Sequence, residues 1–214
     1  MPEQEVQWHR TILPAGWARV AEELAARGVL DGFYLAGGTG LALQLGHRRS
    51  ADLDLFRQRP FEPADIRTQL TEIGGLRVRQ IARGTLHLEI RDVLVSFLHY
   101  PYPLLFPTGA FDGLTVADPR DVACMKIDAI ASRGSRRDFV DLYMTAQMYG
   151  LGEIFVWFDR KYAAAPYNRV HLLKSLTYFT DAEHEPMPNL LVPLEWTAVT
   201  QYFLSEVPNL GALG

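Results

Sequence analysis

Residues Phe33–Phe56 read FYLAGGTGLALQLGHRRSADLDLF. The apolar run from Phe33 to Ala36 has the character of a short buried strand. Gly37 and Gly38 interrupt it, and Thr39 stands where a helix N-cap belongs. Leu41, Leu43 and Leu45 then occupy a segment long enough for two helical turns before Gly46. After the polar stretch His47 to Ala51, Asp52-Leu53-Asp54-Leu55-Phe56 alternates strictly. Successive side chains of a strand point to opposite faces, so Asp52 and Asp54 share one face and Leu53 and Leu55 the other. Neighbouring carboxylates repel unless a cation lies between them. A small set of hard oxygen ligands suits magnesium, which keeps waters and takes further oxygens from phosphates. The glycines allow backbone amides to approach an anion, with a helix N-terminus behind them. The stretch thus joins a phosphate cradle to a carboxylate pair suited to a metal.

Rival motifs fail on these residues. A Walker loop needs Gly-Lys-Ser/Thr after its first glycine and four residues, and no lysine follows here. A dinucleotide fingerprint would need glycine at position 43, which is Leu43. Phosphatases that form an aspartyl phosphate carry their carboxylates at the end of an apolar strand; here they begin one. A plain strand–turn–helix followed by solvated aspartates would account for either half alone. The two halves in this order and spacing favour a site.

Working outward, Trp17, Val20, Ala21 and Leu24 recur at helical spacing up to Gly28. Downstream, Pro63 opens a helix with Ile66, Leu70 and Ile73 on its buried face, closed by Gly74-Gly75. Strand-like runs follow at Leu76 to Ile81, Thr85 to Ile90 and Val93 to Leu98, with turns at Arg83-Gly84 and Arg91-Asp92. These signals predict an α/β (α+β) architecture, a mixed sheet of about five strands with helices on one face. The proline-rich segment Tyr100 to Pro107 breaks the sheet. From Asp118, an N-cap followed by Pro119, the pattern turns helical: 121–132, 136–149, 153–164, 171–179 and 195–206. The expected organisation is a core over 1–117 and a helical lobe over 118–214 packed on it.

The chain has 214 residues, 48% of them hydrophobic and 21% charged, as expected of a globular protein. Its net charge of −4 excludes a global basic field for nucleic acid. RNA contacts would have to come from local arginines: Arg77, Arg79, Arg83 and Arg91, or Arg133, Arg136 and Arg137. The lone Cys124 reads as core, and the six histidines lack zinc-ligand spacing. No apolar run reaches membrane-spanning length and MPEQEVQWHR has no signal core, so the expected compartment is the cytoplasm. Lys126 lies in a helix beside Val122, Ala123, Ile127 and Ile130, where a lysine snorkels to water unless it serves a ligand. Asp138 and Asp141, three apart in RRDFVDLY (136–143), neighbour each other on a helix face and suit dipole complementation or local ion pairs.

GGTGLALQLGHRRSADLDLF resembles the signature of nucleotidyltransferases of the AbiEii/AbiGii toxin type, within the polymerase-β-like nucleotidyltransferase superfamily. The superfamily pairs a Gly-Gly or Gly-Ser turn with a hydrophobic-Asp-hydrophobic-Asp strand. This family adds a His-Arg-x-Ser-x-Asp element, reproduced by Arg48, Ser50, Asp52, Asp54 and Phe56. Lys126 and RRDFVDLY supply a second match. The resemblance implies a nucleotidyltransferase fold and transfer of a nucleoside monophosphate from a nucleoside triphosphate to an acceptor hydroxyl. Asp52 and Asp54 would hold magnesium, with manganese as a substitute. Gly37, Gly38, Thr39, Arg48 and Ser50 would bind the nucleotide. Lys126 would neutralise phosphate charge, with Asp138 or Asp141 orienting it or meeting the nucleotide. The acceptor implied is tRNA or another RNA, a protein or a small molecule, and the partner a cognate antitoxin. The alternative is a catalytically silent member that binds nucleotide or a partner.

One superfamily feature departs from the pattern. The third carboxylate sits on a later strand in a hydrophobic-Asp-hydrophobic setting, and the matching run Val93 to Leu98 holds Ser96 there. Glu89, on one strand face with His87 and Thr85, is the substitute to weigh. A solvated glutamate and a two-carboxylate site are the preferred expectation.

Overall fold

The periodicity at Trp17, Val20, Ala21 and Leu24 becomes α1 (Trp17–Ala26), with all four side chains buried. The apolar run at 33–36 narrows to β1 (Tyr34–Leu35), and the glycine turn leads directly into α2 (Gly37–Leu45). The aspartate alternation forms β2 (Leu53–Arg57), with Leu53 and Leu55 buried and Asp54 half-exposed. Then follow α3 (Pro63–Gln69), β3 (Leu76–Ala82), β4 (Thr85–Ile90), β5 (Val93–His99), β6 (Gly109–Phe111) and β7 (Leu114–Val116). The remaining helices are α4 (Pro119–Arg133), α5 (Arg136–Tyr149), α6 (Leu151–Lys161), α7 (Arg169–Ser175), α8 (Thr180–Glu183) and α9 (Trp196–Gly211). This computed structural model describes residues 7–211. The chain forms two units: described residues up to Pro103 with Pro107–Asp118, and Leu104–Phe106 with those from Pro119 on.

In the first unit the strands form one mixed sheet in the order β3-β4-β5-β2-β1-β7-β6. β2 runs parallel to β5 and antiparallel to β1, while β3, β4 and β5 form an antiparallel meander. The sheet has seven strands among the described residues rather than about five. The additional pair, β6 and β7, is a hairpin of three-residue strands around Asp112-Gly113, whose φ angles of 48° and 78° suit a tight two-residue turn. Each strand is too short to show alternation, so Asp-Gly was its one sequence signal. Arg91 and Asp92 take the same left-handed conformation between β4 and β5 (φ 48° and 68°).

One sheet face is the core. Leu53 and Leu55, Leu86, Leu88 and Ile90, and Val93, Val95 and Phe97 share an apolar cluster with Trp17, Leu24, Leu43 and Ile66 of the helices. Burying each such side chain contributes roughly 1.5–3 kcal/mol. The alternation that drives these residues inward puts Asp54, Ser96 and His87 on the opposite face.

The second unit is helical. Its buried polar centre joins Asp121 of α4 to Lys161 of α6, Nζ to Oδ1 at 2.8 Å, with neither side chain exposed. Asp121 also accepts the amides of Leu105 (3.0 Å) and Phe106 (3.1 Å). Those bonds fix the proline-flanked segment Leu104–Phe106 to this unit. Among the described residues no helix is long and apolar enough to cross a membrane.

Candidate active site

The glycine turn, the polar segment after α2 and the start of β2 converge. Ala36 N–H donates to the carbonyl of Asp54 at 3.1 Å, tying the turn to the strand. Gly37 has φ of +61°, and a Cβ built there would lie 3.0 Å from Asp54 Oδ2. Only glycine combines that left-handed backbone with so close an approach to the carboxylate. A Cβ on Gly38 would stand 2.2 Å from Arg48 Nη2 and 3.4 Å from Ser50 Oγ. The Arg48 side chain is thus drawn in over the turn, and the residue is only 4% exposed. Its Nη1 donates to the carbonyl of Arg49 at 3.1 Å.

Thr39 corrects one expectation. The helix begins at Gly37 with Ala36 as its N-cap. Thr39 is buried inside it, and Oγ1 donates to Ser50 Oγ at 2.8 Å. With the chain already helical at Gly37, the hydroxyl serves the loop instead of the backbone. Gly37, Gly38, Thr39, Arg48, Ser50 and Asp54 therefore form one constellation, with Asp52 half-exposed at the mouth of β2.

The donor chemistry fits a magnesium ion bound partly through phosphate oxygens. Asp54 on the polar face of β2 and Asp52 just before the strand offer hard carboxylate oxygens, and the glycine at 37 leaves open the space a Cβ would take. Among the described residues no group of three or more acidic, histidine or cysteine side chains is placed to hold a metal. Ser96, at the position where the resemblance leads one to expect a third carboxylate, pairs in register with Asp54 across β2 and β5.

Glu89 departs from the expectation of a solvated glutamate. It is 8% exposed, and its carboxylate meets Arg77 Nη1 at 3.6 Å and, more closely, Arg79 Nη2. Both arginines come from β3, two residues apart, and the strand carries a register shift between Val78 and Gln80. His87, sharing that face, hydrogen-bonds through Nδ1 to Ser96 Oγ at 2.9 Å. Sequence reasoning placed His87 and Ser96 on their faces but did not pair them. The antiparallel register of β4 and β5 does so.

The second group of expected residues lies in the helical unit. Lys126 is 5% exposed, so it does not snorkel to water. Its ammonium sits 2.8 Å from Asp138 Oδ1 and 2.6 Å from Asp141 Oδ2. Both carboxylates orient the lysine, as their three-residue spacing permits. Asp138 is also bound by Arg133 Nε (2.7 Å) and Ser135 Oγ (2.7 Å). Burial pushes its pKa up, but Lys126 and Arg133 outweigh burial and bring it to about 2. Cys124 is fully buried, and burial raises its thiol to about 12, which rules it out as a thiolate nucleophile at neutral pH. Of the arginines considered for RNA, Arg91 binds Glu23, and Arg136 binds the carbonyls of Ala182 and Glu183.

A mixed sheet carrying a glycine turn against an Asp-x-Asp strand, followed in the chain by a helical unit, is the arrangement expected of a nucleotidyltransferase. Residues 19–212 match the family described as nucleotidyl transferase AbiEii toxin, type IV toxin–antitoxin system. The chain belongs to that family. It is 35% identical over 192 residues to an uncharacterized protein of Aquifex aeolicus (strain VF5), covering 87% of this chain and 91% of the relative. Its fold is similar to MenT4, a nucleotidyltransferase toxin of Mycobacterium tuberculosis H37Rv, with a TM-score of 0.56 and 17% identity over 92% of this chain and 84% of that one. A nucleotidyltransferase candidate from H. pylori matches with a TM-score of 0.50 and 15% identity over 94% and 99% of the two chains.

Proposed function

We propose that this protein is a magnesium-dependent transferase of nucleoside monophosphates. It would take them from a nucleoside triphosphate to a hydroxyl of RNA and act in the cytoplasm as the toxin of a toxin–antitoxin pair. The observation that carries this reading is the approach of the Gly37 backbone to the Asp54 carboxylate, with Asp52 two residues before it in the chain. Asp52 and Asp54 would hold the magnesium, manganese serving as a substitute. Bound there, the ion would offset charge on the phosphates and align the displacement. The chain's own groups do the rest. Amides at the start of α2 bind phosphate oxygens, aided by the helix dipole. The Arg48 guanidinium, drawn in over Gly38, adds fixed positive charge to the cradle. Thr39 and Ser50 hold the loop in place through their mutual hydrogen bond. Lys126, which the resemblance assigns to phosphate, is held within the helical unit by Asp138 and Asp141.

Ser96 at the third-carboxylate position favours a second reading, a silent member that binds nucleotide without turning it over. One experiment separates the two. The purified chain is incubated with total RNA or total protein, magnesium and each labelled triphosphate in turn. Label transferred to RNA with one preferred triphosphate is the expected result. Triphosphate binding without transfer to either pool, or to small molecules of a cell extract, would establish the silent reading instead.

A further inference from the structure

We propose that Ser96 and His87 form a proton relay in which Ser96 contacts the acceptor hydroxyl and His87 is the terminal base. The inference rests on the transferase reading above and names the residues that replace the missing carboxylate. Three adjacent strands align Asp54 with Ser96 and Ser96 with His87, so the three side chains rise from one row on one face. His87 Nδ1 lies 2.9 Å from Ser96 Oγ, and both residues are half-buried. With the proton assigned to Nε2, Nδ1 accepts from the serine hydroxyl.

The other groups around His87 are poorly placed to act as the base. Glu89 on the same strand is already engaged by Arg77 and Arg79. Gln80 faces His87 across β3 and does not titrate in water, while Thr85 is a poor base. His87 therefore stands next in line behind the residue that borders Asp54.

The chemistry balances without a further reactant. As the acceptor oxygen bonds to the α-phosphorus, the bond from that phosphorus to the departing pyrophosphate breaks. The acceptor proton passes to Ser96 Oγ while the serine's own proton passes to His87 Nδ1. The resulting imidazolium returns its proton to solvent. A positioned general base of this kind contributes on the order of 100-fold or more.

The test uses the full chain with total RNA, magnesium and the labelled triphosphate that wild type prefers. H87N keeps a side-chain amide near the place of Nδ1 but cannot take a proton, so it separates chemistry from hydrogen bonding. H87N and H87A should both lose about 100-fold or more in transfer, with triphosphate affinity unchanged. Added imidazole should restore part of the H87A rate, and S96A should fall with them. H87N at the wild-type rate, or a slow H87A that ignores imidazole, would overturn the relay while leaving the transferase reading intact. If H87A fails to fold, the closely isosteric H87N alone decides. Absence of transfer by wild type would remove the transferase reading and the relay with it.

Discussion

Replacing Lys126 by methionine isolates one buried charge of the helical unit. The substitution keeps most of the side-chain volume, so cavity formation contributes little. It leaves two carboxylates, 1% and 0% exposed, without the ammonium that stood 2.8 and 2.6 Å away. Arg133 still reaches Asp138, whereas Asp141 loses its closest cation. Removing one partner of a buried pair destabilises by about 3–5 kcal/mol, because the remaining charge stays desolvated. For a unit of this size that is a drop of more than about 10 °C in melting temperature. Far-ultraviolet circular dichroism follows it directly, since the unit is helical. Adding Asp141→Asn should recover part of the loss by removing a buried charge that faced the ammonium, a coupling that a double-mutant cycle measures. A Lys126→Met protein that melts with wild type would refute the claim that this lysine is structurally committed. The same comparison governs interpretation of activity: transfer lost by Lys126 variants informs on phosphate chemistry only at temperatures where they remain folded.

Gly37→Ala should cost about 1–2 kcal/mol from the left-handed backbone and push against Asp54, so transfer should fall by more than stability explains. Melting and transfer rates measured together check it, and an active, stable variant would contradict the close-approach argument. Acid should weaken the helical unit in a defined window. Asp138 is depressed to about 2, so its contribution is complete above the unfolded value near 4 and disappears as pH falls through about 2. The amount is roughly 2 kcal/mol, and Asp138→Asn should flatten the stability profile between those values.

Much of the candidate site's strand face could be read from the order of residues. Strict alternation at 52–56 fixes the faces of β2 whatever surrounds it, and the apolar spacing of α1 fixes its buried side. Local patterns extend only as far as one element, however. Thr39 satisfies the preferences of an N-cap, but its hydroxyl goes to Ser50, eleven residues on, because of a loop path no spacing reveals. Glu89 looked solvated because its own strand is polar; the arginines that bury it come from the register of β3. The pairing of Asp121 with Lys161 spans forty residues and two helices, beyond any periodic signal. The strands β6 and β7 escaped because three residues cannot display alternation, leaving only the turn. The lysine beside an apolar stripe turned inward because α5 presents two carboxylates to it, which the stripe alone could not disclose.

The central claim, that Asp52 and Asp54 form a metal-binding pair for nucleotidyl transfer, is tested most directly by Asp52→Asn and Asp54→Asn. Both variants are compared with wild type for magnesium-dependent transfer and for melting. Asp54 lies on the face of β2 away from the apolar core and Asp52 is half-exposed just before the strand, so each variant should melt close to wild type. Each should lose on the order of 100-fold or more in transfer, the cost of removing one ligand from the transition state. Wild-type turnover by either variant, at an unchanged melting temperature, would contradict the assignment.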